Sequence, residues 1–108
     1  MQPVTKLEVY EENHRLNAIW NEPQYNKNVL LFYRLKLQSE NYTTLEQKET
    51  SNLTYTFKDS KLVPCAKRVV ILTPIVRRNV GSDIIGVGIS RTFIAGNFLN
   101  IKIDFRIF

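Results

Sequence analysis

Apolar residues recur at every second position through much of this chain. Leu16, Ala18 and Trp20 alternate with Arg15, Asn17, Ile19 and Asn21. Leu31, Tyr33, Leu35 and Leu37 fall on one side of a run whose other side carries Leu30, Phe32, Arg34 and Lys36. Leu53, Tyr55 and Phe57 alternate with Thr54 and Thr56, and Val4, Leu7 and Val9 are separated by Lys6 and Glu8. A period of two is the signature of a half-buried β-strand. The pattern predicts strands over 3–11, 15–21, 29–38 and 52–57, with Leu53, Tyr55 and Phe57 inward, and a short strand near 43–48. Polar turns separate them at 11–14 and 24–28.

A different pattern governs 62–72. Leu62 and Pro64 lead into Val69-Val70-Ile71-Leu72, an apolar run without polar alternation. Proline fixes φ on the approach, and the β-branched residues favour a pleated surface. The run reads as a central strand, either covered on both faces or covered on one and awaiting a partner on the other. Thr73-Pro74-Ile75-Val76 extends that strand or bends it at its edge. Arg77 to Asp83 is a turn, since Asn79, Gly81, Ser82 and Asp83 tolerate turn backbone angles. A last strand follows over 84–90, weakened or bulged by Gly86 and Gly88. Seven strands, short turns, no helix-period segment and no internal repeat predict an all-β antiparallel sandwich.

Composition narrows the chemistry more than the fold. The 108 residues suit one domain with one core. No apolar stretch is long enough to span a bilayer, and the first residues do not resemble a signal peptide. The chain is thus read as cytosolic as it stands, or as a piece of a larger protein. One cysteine, Cys65, excludes an internal disulfide, and a single histidine, His14, leaves no zinc ligand set. No cofactor is expected. The net charge is +5, but the basic residues are spread from Lys6 to Arg106 with short pairs only at Lys67-Arg68 and Arg77-Arg78. That spread reads as a solvated surface; a heparin-like polyanion is a possible partner, and nucleic acid is not expected.

Catalysis finds little support. His14 has Glu12 nearby, but in a rim turn with no pocket in prospect. Cys65 follows a proline and precedes Lys67 and Arg68; it reads as a small hydrophobe rather than an activated thiol. Gly86-Val87-Gly88 lacks the third glycine and the helix of a phosphate loop. Asn41-Tyr42-Thr43 and Asn52-Leu53-Thr54 are two acceptor triplets for N-linked glycan, at Asn41 and Asn52.

Several of these pieces share an order and spacing: Pro3 and Leu7, Trp20 with Pro23, Tyr33-Arg34-Leu35-Lys36-Leu37, Leu62-Val63-Pro64, and Gly86-Val87-Gly88-Ile89-Ser90. In these the chain resembles a fibronectin type III module, over 3–93. The resemblance implies a seven-stranded antiparallel immunoglobulin-like β-sandwich, three strands facing four. It implies a non-catalytic extracellular module of a single-pass receptor or adhesion protein, spacing neighbouring modules of the same chain and offering a protein-binding surface to a ligand not specified. The related cytokine-receptor module would carry Trp-Ser-x-Trp-Ser in its last strand, and this chain has no tryptophan there. An intracellular scaffold remains open if the two triplets are accidental.

Two departures stand out. The family has a tyrosine six residues after the leucine of Leu62-x-Pro64; here that position is Arg68, a donor with a fixed charge, and reduced stability is expected. Residues 94–108, dense in Phe, Ile and Asn, have no family counterpart, and 96–108 are read as foreign to the native module. The family's sheet makes the third and sixth strands neighbours. Phe32, Val69 and Ile71 then point outward beside Arg34, Lys36 and Lys67, as an apolar patch rimmed by positive charge. The candidate protein-contact residues are Phe32, Arg34, Val69 and Ile71 on that face, with Arg77, Arg78 and Asp83 in the adjoining turn.

Overall fold

Alternation along the chain becomes two facing antiparallel sheets in the computed structural model, which describes Val4 and residues 6–13, 15–23, 30–58, 66–78 and 80–94. The strands are β1 (Glu8–Glu12), β2 (Arg15–Ile19), β3 (Leu30–Ser39), β4 (Thr44–Thr50), β5 (Thr54–Thr56), β6 (Lys67–Arg77), β7 (Ile84–Ile85) and β8 (Ile89–Ile94), with no helix among the described residues. One sheet has the order β1-β2-β5; the other runs β4-β3-β6-β7, with β8 also paired to β6. Pro3, His14, 61–65 with Leu62, Pro64 and Cys65, and the segment 95–108 lie outside the described residues.

The two sheets share one interior, a β-sandwich-like arrangement. Leu16, Ala18, Trp20 and Phe57 from the first sheet and its flanks are buried with Leu31, Tyr33, Leu35, Leu37, Val70, Leu72 and Val76 of the second. Trp20, 2 % exposed, meets Tyr33 edge-on, with ring centroids 5.3 Å apart and planes at 67°. Such aromatic pairs add to the burial of area that drives sheet packing. The inward parity of Leu16, Ala18 and Trp20 is as the alternation predicts, and Ile19 on the opposite face is exposed.

The strand at the heart of the second sheet is longer than the apolar run that announces it. β6 passes through Pro74 without ending, and Pro74 pairs in register with Tyr33 of β3. A proline in a middle strand would normally remove a ladder bond. Here the Gly86 amide donates to the Pro74 carbonyl at 2.8 Å. In an antiparallel ladder a residue's N–H and C=O turn to the same neighbour. The missing N–H of Pro74 therefore faces β7, and the ladder to β3 loses nothing.

That orientation accounts for the main difference from expectation. The last strand is not a single piece over 84–90. It is two, β7 against Ile75–Val76 and β8 against Lys67–Leu72, parted at Gly86–Gly88. Eight strands result where seven are expected, although β7 and β8 occupy one edge of β6. Opposite Pro74 there is no donor to continue the pairing, and the chain swings close over β6. A Cβ on Gly88 would lie 3.1 Å from Thr73 Oγ1 and 3.5 Å from the Leu72 carbonyl, so a larger residue fits this passage only if the Thr73 side chain gives by a few tenths of an ångström. A second difference is Leu53, which is 40 % exposed rather than inward. Residues 51–53 form a bend, and the alternation begins only at Thr54.

Candidate functional site

The outer face of the β3–β6 pair carries the sequence candidates. Directly opposite residues of an antiparallel pair share a face. The register sets Phe32 against Ile75, Arg34 against Thr73, Lys36 against Ile71 and Gln38 against Val69. Leu31, Tyr33, Val70 and Leu72 belong to the interior, so this second set points away from it. Phe32, Arg34, Val69, Ile71 and Arg77 are therefore brought together on one surface.

Phe32 does not stand exposed there, which corrects the expected patch. It is 7 % exposed and Ile75 beside it 1 %. The Arg77 guanidinium lies over the Phe32 ring, 4.4 Å from its centroid, and also reaches Asp83 with Nη2 to Oδ2 at 3.5 Å. Arginine is suited to this double contact, since its flat cation stacks on a ring face and donates from its edge. Val69 and Ile71 are half-buried. Arg34 donates from Nε and Nη2 to Glu49 Oε2 on β4, at 3.3 and 3.1 Å. These ion pairs, about a third to a half exposed, order side chains more than they stabilise the fold.

Arg78 takes a different part. Its Nε donates to the Ser82 carbonyl at 2.9 Å and closes the turn over Gly81, whose φ is +94°. A Cβ at Gly81 would sit 3.0 Å from Arg78 Nη2, so turn and arginine are fitted to each other. Arg78 thus serves the loop, while Asp83 joins the face through Arg77. Sequence reasoning missed Ile75 and Ile85, which the register places in the same row as Phe32. Carrying the parity of Val69 and Ile71 on through Pro74 would have found Ile75. Ile85 at 61 % and Val87 at 74 % exposure give this face an apolar margin.

A second polar arrangement joins the sheets at the β4 edge. Tyr55 Oη donates to Glu46 Oε2 at 2.6 Å, and the Lys58 amide donates to Glu46 Oε1 at 2.8 Å. Glu46 lies opposite Leu37, an interior position, so its carboxylate is turned inward at an edge strand. Inward charge of this kind discourages another strand from pairing with the edge. Burial, then the bond to Glu46 and its charge, push the Tyr55 phenol up to about 12.

Both glycan triplets are exposed at their asparagines. Asn41 lies in the turn between β3 and β4, where Tyr42 has φ +65°; Asn52 lies in the bend between β4 and β5. Arg68, the departure from the family pattern, is half-buried in β6 opposite Phe93, with Nη1 donating to the Lys67 carbonyl at 3.2 Å. No group of three His, Cys, Asp or Glu side chains suited to a metal occurs among the described residues. No protein-family model matches the chain, and no curated protein matches it.

Proposed function

We propose that the chain is a fibronectin type III-like module of a larger extracellular receptor or adhesion protein, non-catalytic, holding its neighbours apart and meeting a partner protein through the outer face of β3 and β6. The observation that carries this reading is the strand order. β1-β2-β5 faces β4-β3-β6 with the divided strand β7/β8 at its far edge, which is three positions against four. The resemblance in Trp20, Pro23 and the Tyr33–Leu37 run expects that arrangement, with seven strand positions of immunoglobulin-like type. The outer face supports the contact role through Val69, Ile71 and the exposed Ile85, beside Lys36 and the Arg77–Asp83 pair.

Antibodies to this chain, applied to intact cells of its source, test the setting. Staining before permeabilisation is expected; staining only afterwards overturns it. An Ile71→Glu variant that folds with the wild-type transition and still binds the surface partner as wild type does would remove the contact role from this face.

A further inference from the structure

The two acceptor triplets differ in what holds them. Among the described residues, the hydrogen bonds of Asn41-Tyr42-Thr43 close within residues 39–43. The Tyr42 amide donates to the Ser39 carbonyl at 3.0 Å, and the Ser39 amide to the Thr43 carbonyl at 2.9 Å. Thr43 Oγ1 donates to Asn41 Oδ1 at 2.9 Å, and Ser39 Oγ donates to the same oxygen. The Asn41 carbonyl end is thus fixed by its own turn, and its Nδ2 donates to no described residue. In Asn52-Leu53-Thr54 the triplet is woven into the first sheet. Thr54 Oγ1 donates to the Ala18 carbonyl at 3.1 Å, the Leu53 carbonyl accepts from the Trp20 amide at 3.1 Å, and Thr54 is in register with Ile19.

The glycosylating enzyme must read the hydroxyl two residues beyond the asparagine, since that hydroxyl defines the acceptor. Freeing Thr43 breaks only bonds of a surface turn. Freeing Thr54 parts β5 from β2 next to Trp20, at the edge of the interior. Local opening is far easier in the first case.

We infer that Asn41, and not Asn52, is the N-glycan acceptor of the folded chain. The step joins Asn41 Nδ2 to C1 of the first sugar of a polyprenyl-diphosphate oligosaccharide. The sugar–phosphate C–O bond breaks, the lipid diphosphate leaves, and the amide gives up one proton. This inference rests on the extracellular reading only for its occurrence in the native protein.

The test incubates the refolded full chain with solubilised eukaryotic oligosaccharyltransferase and a lipid-diphosphate oligosaccharide donor, then maps occupancy by mass spectrometry. The expected occupancy ratio of Asn41 to Asn52 is about five or more, the factor that one additional kcal/mol of opening free energy produces. In a Thr56→Ala variant, which removes the exposed Thr56 Oγ1–Asn17 Oδ1 bond between β5 and β2 and leaves the interior untouched, the ratio falls. Equal or greater occupancy at Asn52 in the wild-type chain, or none at Asn41, overturns the inference. Glycan mapping of the protein from its native source separates the two claims: an unmodified Asn41 there, with Asn41 modified in the reconstituted reaction, refutes the extracellular setting and leaves the acceptor assignment standing.

Discussion

Pro74 stands opposite Tyr33 in the register of β3 and β6, yet its carbonyl is taken by Gly86 on the other side. The proline thus turns its missing donor to the edge of the sheet and divides the edge strand while leaving the centre intact. The same parity fixes which amides are held. Residues of β8 opposite Leu72, Val70 and Arg68 turn their N–H groups to β6. Amide exchange is therefore expected to be slow at Ile89, Arg91 and Phe93 and fast at Val87 and Gly88. Uniform protection from Ile84 to Ile94, measured by exchange-edited NMR, would contradict this account.

Trp20 anchors the interior, but its Nε1 is buried without a hydrogen-bond partner among the described residues. Trp20→Ala is expected to cost about 3–5 kcal/mol in urea unfolding, as for large aromatic truncations in cores. Trp20→Phe removes the unpaired donor along with part of the ring. Its cost is expected to be less than half as large, because an unsatisfied buried donor itself costs about 1–3 kcal/mol.

Phe32 and Arg77 test whether the outer face is packed or merely decorated. Phe32→Ala is expected to destabilise by about 3 kcal/mol, a core-like value. Arg77→Ala is expected to cost about 1 kcal/mol through the lost cation–ring contact, and Asp83→Asn close to nothing. A Phe32→Ala variant within about 0.5 kcal/mol of wild type, the range of ordinary surface changes, would show that the ring contributes little.

Tyr55 supplies a pH dependence. Its folded pKa is raised, so the contribution is fully present below the unfolded value, about 10, and is lost as pH rises towards about 12. Stability measured against pH is expected to fall across that window more steeply for the wild type than for Tyr55→Phe. The variant should also be weaker by about 1 kcal/mol near neutrality, because Glu46 loses a donor. Parallel curves for the two proteins at alkaline pH would exclude the effect.

The alternation in the sequence carried most of this fold because side-chain parity is a local property. Leu16, Ala18 and Trp20 face inward for the same reason that Ile19 does not. Leu53 escaped because a bend resets parity, and nothing in Asn52-Leu53-Thr54 marks where the strand begins. Pro74 could not be placed from sequence, since the direction of its absent N–H depends on register. For the candidate face, parity placed Phe32, Arg34, Val69 and Ile71 on one side; Arg77, read as the start of the turn, is instead the last residue of β6 and joins them. Their exposure was not legible: Phe32 is covered by Arg77 and buried beside Ile75, through neighbours set by pairing across strands. Arg78 looked like part of a basic pair, and only the turn geometry showed it engaged with Ser82.

Phe32 and Tyr33 are consecutive residues buried on opposite sides of the same strand, and Ile75 and Val76 repeat this on the strand beside it. Mid-sheet, the backbone is gripped from both directions at one level. In the proposed setting of a link among modules, that level would be the mechanical clamp: pulling would peel β7 and β1 at the margins first, and the β3–β6 seam would be the last to shear.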